Sequence, residues 1–229
     1  MSEIQENLSK ILDTIEKAAN KSGRAAKDIT LVAVTKTLPP ERIGELLSLG
    51  RFELGENRAQ ELLAKYGVFS PEPDWHMIGH LQTNKVKYII DKVKLIQSVD
   101  SVNLAEEIDK RAKQREKIAD ILIEVNIGAE DTKYGVDLSQ IEGFAEHLSA
   151  FPNIRIKGLM CVAPFVKKPE ENRLLFKKMF NKYIDIGRNI LYNADMSILS
   201  MGMSNDYAVA IEEGSNMVRL GTALFGGRA

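Results

Sequence analysis

A single cysteine in 229 residues, Cys161, has no partner within the chain, so an intrachain disulfide framework of the kind that holds small secreted domains together is excluded. The sequence also lacks any run of about 18 consecutive apolar residues, the length a membrane-spanning helix requires. Its N-terminus, MSEIQENLSKILDTIEKAAN, carries acids early and no uninterrupted apolar stretch, which argues against a secretory leader. Instead Ile4, Leu8, Ile11, Leu12 and Ile15 repeat at helical spacing and predict an amphipathic first helix. Neither sign of charge is in excess: 31 Lys and Arg stand against 32 Asp and Glu, a net charge of −1. With no run of like charge either, nucleic acid and anionic membrane are not favoured as partners. A cytoplasmic protein is expected. No low-complexity or Pro/Ser-rich stretch divides the chain, so residues 1–229 are expected to form one domain.

What is present is a repeated alternation. With 44% apolar residues the chain can bury a sizeable core, and its short apolar runs are separated by longer helical patterns. ITLVAVT (29–35), FELGE (52–56), WHMIG (75–79), LIQSVD (95–100), ADILIEVNI (119–127), IRIKGLM (154–160), MSILS (196–200) and NMVRL (216–220) read as strands. Several are β-branched and apolar throughout, as strands buried on both faces should be. Helical patterns lie between them at 39–50, 57–65, 83–91, after Ser101 (a predicted cap), and at 138–149, 169–191 and 206–214. Roughly eight β/α units predict an α/β fold in which a parallel sheet closes into a single (β/α)₈ TIM-type barrel with an extra N-terminal helix. An open doubly wound sheet is the rival arrangement.

Barrel chemistry is placed at the C-terminal ends of strands, and Lys36 stands there, directly after LVAVT. A lysine attacks a carbonyl only as the neutral amine, and a low-dielectric barrel mouth favours that form. A lysine in this position can equally extend its ammonium from the strand end into water. Two late segments, SMGMSNDY (200–207) and RLGTALFGG (219–227), place glycine and hydroxyl residues after strands seven and eight, where many barrels bind phosphate. The same residues can simply make tight turns and cap a helix. Arg219, between Val218 and Leu220 in an apolar strand, needs a buried partner or a ligand. His76 and His80 share the spacing of a zinc helix, but WHMIGH crosses a strand end and lacks the glutamate of HExxH, so no metal site is expected. Cys161 reads as a buried structural thiol and His147 as a solvated side chain.

The segments VAVTK (32–36), FELGENRAQE (52–61), WHMIGHLQTNK (75–85), VNIGAEDTKYG (125–135), GLM (158–160), SMGMSND (200–206) and VRLGTALFG (218–226) together resemble the pyridoxal phosphate homeostasis proteins, which look like the barrel domain of alanine racemases. The resemblance spans essentially the whole chain. It implies that Lys36 holds pyridoxal 5′-phosphate (PLP) as a Schiff base. It also implies a phosphate cradle from Ser200, Met201 and Gly202 with Gly221 and Thr222, Arg219 facing the pyridine nitrogen, and Asn57 and His80 lining the pocket. An arginine at that nitrogen favours its unprotonated form, which makes the ring a weaker electron sink than a carboxylate partner would.

The function so implied is a PLP carrier or buffer that supplies apo-enzymes and turns over no substrate. Two alternatives stay open: a racemase-like PLP enzyme, and a cofactor-free Schiff-base aldolase. The chain stops at Ala229, so the racemases' second domain, with its acid/base tyrosine and dimer interface, is not expected, and a monomer is. Tyr134 and Tyr207 are the tyrosines that could stand in for the missing one.

Overall fold

The computed structural model describes residues 2–128, 134–188 and 193–227. Residues 129–133 of the segment 125–135, and the end of the helix expected at 169–191, lie outside these. Nine strands are found among the described residues: β1 (Thr30–Val34), β2 (Glu53–Glu56), β3 (Asp74–Met77), β4 (Leu95–Val99), β5 (Ala119–Asn126), β6 (Val136–Asp137), β7 (Ile154–Cys161), β8 (Ala194–Ser200) and β9 (Met217–Leu220). All pair in parallel, in the order β4-β3-β2-β1-β9-β8-β7-β5, and a β4–β5 pairing closes the ring. The eight-stranded barrel expected from the alternation is therefore formed, and the open doubly wound sheet is not. The two-residue β6 is an addition that pairs with the outer end of β5.

The helices are α1 (Glu3–Lys21), α2 (Pro40–Leu47), α3 (Ala59–Lys65), α4 (Val86–Ile89), α5 (Val102–Gln114), α6 (Ile141–Leu148), α7 (Arg173–Arg188), α8 (Tyr207–Glu212) and α9 (Thr222–Phe225). The helix expected over 83–91 is a 3₁₀ turn, Thr83–Lys85, followed by the single turn of α4. Ser101 holds the N-cap position of α5 with extended backbone, but its side chain makes no capping hydrogen bond. In α1, Ile4, Leu8, Ile11 and Ile15 are buried as the spacing requires, whereas Leu12 is half exposed, so the apolar stripe is narrower than the sequence suggested. Each buried Ile or Leu contributes roughly 1.5–3 kcal/mol. The join is reinforced at the helix's end: Arg24 donates to the carbonyls of Ile211, Gly214 and Ser215, satisfying the C-terminal end of α8.

Most of the core lies between strands and helices. A separate small cluster, Val32, Leu95, Leu122, Met160 and Met217 with Val162 and Ile198 against it, fills the barrel itself. Gly158 lets β7 pass unusually close to β8: its φ is +147°, and a Cβ there would lie 1.7 Å from the Ile198 carbonyl oxygen. The registers with β5 and β8 both shift beside this residue. No helix among the described residues is long and apolar enough to cross a membrane.

Candidate functional site

Side chains alternate faces along a strand, so the interior cluster fixes which later residues point into the barrel mouth. Two steps beyond Leu122 is Glu124; beyond Met217 comes Arg219 and then Gly221; beyond Ile198 comes Ser200 and then Gly202. Along β1 the same count runs Val32, Val34 and there the strand ends. Thr35 confirms the parity: its hydroxyl faces outward, donating to Glu56 Oε1 at 2.6 Å, and Glu56 also accepts from Lys65 at 2.7 Å. Lys36 follows in the turn just after β1, half-buried; its carbonyl accepts from the Thr37 hydroxyl at 2.6 Å, and its side chain forms no hydrogen bond or ion pair among the described residues. Immediately after it the chain turns sharply: Thr37 has a φ of 62° and its amide donates to Glu61 Oε2 at 2.7 Å. A threonine at positive φ is uncommon, and this one is held by that carboxylate.

Arg219 is 3% exposed and reaches only neutral acceptors: Ser200 Oγ at 2.5 Å and the Cys161 carbonyl at 2.8 Å. Burial pulls its pKa below the ordinary guanidinium value, while Cys161, Glu124 and Asp206 oppose the shift. No carboxylate among the described residues forms an ion pair with it. Glu124, on the same inward face, has an Oε2 that is buried without a hydrogen-bond partner. Burial first, then the nearby charge of Asp100, push its carboxyl up to about 7 against the opposing pull of Arg219. The sequence reading missed Glu124. It sits at an alternate position in a strand that otherwise reads as apolar, and that was the available signal. Burial also pushes the Cys161 thiol up to about 12, the behaviour of an inert structural cysteine.

The two late loops meet at Ser204. Its Oγ accepts from the amides of Gly221 (3.3 Å) and Ala223 (3.1 Å), so two backbone donors converge on one oxygen between the loops. In the sequence Ser204 belonged to a segment suited either to phosphate or to turns and a helix cap. Gly202 has a φ of +93°, and a Cβ on it would lie 2.6 Å from Ala210 Cβ, so glycine is required for the loop to lie against α8. Met201 is buried with its amide bonded to the Met217 carbonyl, and Thr222 is exposed. Ser200 is fully buried, and its hydroxyl faces the barrel interior, where it donates to Gln97 Oε1 at 2.7 Å.

Asn57 and His80 are brought together as walls of one cavity of about 520 Å³, with Arg58, Gln82 and Lys85. Asn57 Oδ1 is buried without a hydrogen-bond partner, and the backbone of Asn57 is pressed against Gly79, where a Cβ would lie 2.5 Å from its carbonyl oxygen. His80 stacks on Tyr134, ring centroids 3.8 Å apart, and its Nδ1 lies 3.5 Å from Asp100 Oδ2. Tyr207 belongs instead to α8, packed against the core. Among the described residues, no three His, Cys, Asp or Glu side chains are grouped so as to hold a metal ion.

The architecture is shared with known proteins. The family model of the alanine racemase N-terminal domain matches residues 7–229, which places the chain in that class of barrels. The pyridoxal phosphate homeostasis protein of Aquifex aeolicus (strain VF5) is 45% identical over 224 residues, covering 97% of each chain. The chain belongs to the pyridoxal phosphate homeostasis protein family. Among solved structures, an unknown protein from Bifidobacterium adolescentis superposes with a TM-score of 0.87 at 33% identity, covering 96% of this chain and 94% of that one. PipY of Synechococcus elongatus PCC7942, solved with PLP bound, superposes with a TM-score of 0.79 at 30% identity, covering 93% of this chain and all of that one.

Proposed function

We propose that this protein binds PLP at the barrel mouth and serves intracellular PLP homeostasis, holding the cofactor on Lys36 and releasing it to apo-enzymes without turnover of its own. The observation that carries the reading is a Lys36 just beyond β1, its side chain without a partner among the described residues, beside the neighbouring strand β9, whose buried Arg219 reaches only neutral acceptors among those residues. The relatives' names and the PLP-bound PipY support it. PLP supplies an aldehyde that a neutral lysine amine can capture covalently.

In this reading Arg219 would face the pyridine nitrogen and donate to it, which would favour the unprotonated nitrogen and a poorer electron sink. The two late loops would hold the phosphate between them. The Gly221 and Ala223 amides and the Ser204 hydroxyl already converge there, and Thr222 adds a hydroxyl. Gly202 gives that loop its path, and Ser200 and Met201 anchor it from the barrel side. Asn57 and His80 wall the pocket, with Asn57 Oδ1 as an acceptor still to be matched. A single barrel domain acting as a cytoplasmic monomer completes the proposal, and size-exclusion chromatography with light scattering tests the monomer.

The visible spectrum tests the PLP reading. The protein with PLP should be yellow, and Lys36→Ala should lose the band yet keep its fold, because a mouth lysine contributes little to the core. A colourless wild type that condenses with sugar-phosphate aldehydes would favour the aldolase. A racemase-type enzyme has one specific feature behind it: Tyr134 lies at the mouth on His80. Incubation with L-alanine in deuterated water decides between carrier and racemase. A carrier gives no D-alanine; D-alanine formed by wild type and lost in Tyr134→Phe makes it an enzyme.

A further inference from the structure

Arg219 is the first member of a chain of buried polar groups that crosses the barrel interior. Its Nη1 donates to Ser200 Oγ at 2.5 Å, Ser200 donates to Gln97 Oε1 at 2.7 Å, and Gln97 Nε2 faces His76 Nδ1 at 2.8 Å. Gln97 Nε2 also donates to Met217 Sδ at 3.3 Å. The four residues come from β9, β8, β4 and β3, and none is more than 3% exposed. At the far end His76 Nε2 lies 3.2 Å from Glu53 Oε2, within ion-pair distance though neither atom has an aligned hydrogen bond. Glu53 also pairs with Lys94. These residues line a cavity of about 410 Å³ at the opposite, N-terminal mouth, together with Asp120, Lys157 and Asn216.

The donors and acceptors fit together in one direction. A guanidinium can only donate, so Ser200 must accept from it and has one proton left, which goes to the Gln97 carbonyl. The Gln97 amide then presents both its hydrogens, one to His76 Nδ1 and one to the thioether of Met217. Turning that amide over would set its oxygen against the Met217 sulfur and its hydrogens against a Ser200 hydroxyl that has its own proton to give away. His76 is thereby fixed as the tautomer protonated on Nε2, aimed at Glu53. Burial works against ionisation of Glu53, but His76 and Lys94 beside it outweigh this and hold its pKa below the ordinary carboxylate value, so the chain ends on a carboxylate. Arg219 is itself a strand residue whose guanidinium would have other rotamers. Among the described residues Ser200 is its one side-chain partner, and Gln97 takes the proton that orients Ser200.

We propose that Gln97 and His76 are positioning residues for Arg219, so that the ring-nitrogen end of the ligand site is set from the opposite half of the barrel. This rests on the proposed placement of Arg219 at the PLP ring nitrogen. It also explains why the Ser200 hydroxyl is directed inward: it orients the arginine and is unavailable to phosphate.

The test is solution NMR of the loaded protein with PLP labelled with nitrogen-15 in the ring. The nitrogen-15 signal reads the Arg219 contact, the phosphorus-31 signal reads the phosphate, and a binding titration accompanies both. Gln97→Leu should move the nitrogen signal, leave the phosphorus signal in place and weaken PLP binding roughly tenfold. His76→Phe should do the same to a smaller degree, and it carries the test if Gln97→Leu does not fold. His76→Gln, which returns an acceptor to Gln97, should restore the wild-type nitrogen signal. Arg219→Gln is the control. If it moves the nitrogen signal and neither Gln97→Leu nor His76→Phe does, the positioning chain is wrong while the PLP reading stands. If nitrogen and phosphorus signals shift together with a lowered Tm, the residues only support the fold, and the proposal fails. A nitrogen signal that ignores Arg219→Gln removes Arg219 from the ring, and the inference falls with that placement.

Discussion

Replacing Lys65 with methionine should destabilise the protein more than any other single change to a charged residue on α3, and by an amount that depends on pH. Lys65 Nζ lies 2.7 Å from Glu56 Oε1 and 2.8 Å from the Thr35 carbonyl oxygen, in a pocket where Thr35 and Glu56 are fully buried. Burial raises the Glu56 pKa, and the hydrogen bonds from Lys65 and Thr35 oppose that rise. Methionine removes the ammonium, so the carboxylate loses its ion pair and the Thr35 carbonyl its donor. Breaking such a buried pair from one side costs about 3–5 kcal/mol. Glu56 can limit the loss by taking up a proton. Its folded pKa in the variant stands further above the unfolded value, so stability is retained below the unfolded value and lost as pH rises through the folded one. The deficit should therefore be small near pH 4.5 and full at pH 8. Urea unfolding followed by circular dichroism at the two pH values measures it, with an unchanged m-value confirming that only stability has moved. The double variant Lys65→Met/Glu56→Leu should regain most of the loss, since an apolar pair leaves no buried charge. A deficit below about 1 kcal/mol at pH 8, or one equal at both pH values, would refute the reasoning. Because Thr35 immediately precedes Lys36, the single variant should also hold PLP less tightly than wild type.

Glu124, with its carboxyl pushed up to about 7, makes a related prediction for the ligand-free protein. Its contribution to stability is complete below the unfolded carboxyl value of about 4.3 and is lost as pH rises through the folded one. Glu124→Gln should thus gain up to roughly 3 kcal/mol over wild type at pH 8 and little at pH 4; an equal gap at both pH values in urea titrations would contradict this. Gly202→Ala forces a side chain to a φ of +93° and to within 2.6 Å of Ala210 Cβ, so the loop must shift. Binding of PLP should fall more than binding of pyridoxal, which lacks the phosphate, as measured by fluorescence titration; equal losses would place the phosphate elsewhere.

The barrel was legible because its strands are short β-branched runs at regular intervals, each carrying its own local signal. Lys36 stood out for a similar reason, as a charge directly after an apolar run. The two-residue β6 left no signal, being too short for any periodicity, while the helix read over 83–91 is shorter than its pattern, a 3₁₀ turn and the single turn of α4. The interior chain was hidden for a different reason. His76, Gln97, Ser200 and Arg219 come from four strands, and only barrel closure brings β3 and β4 across from β8 and β9. Read along the sequence, Ser200 was a loop hydroxyl suited to phosphate and His76 half of a failed metal motif. In three dimensions the two are linked through Gln97. The Ser204 contacts were hidden in the same way: its two amide donors lie 17 and 19 residues later.

The central claim is that Lys36 carries PLP, and locating the modified residue tests it most directly. The PLP-loaded protein is reduced with borohydride, digested, and mapped by peptide mass spectrometry. The account expects one pyridoxyl-phosphate adduct, on Lys36, in stoichiometric yield and absent from Lys36→Ala. An adduct on another lysine such as Lys85, or equal labelling spread over surface lysines, would contradict it.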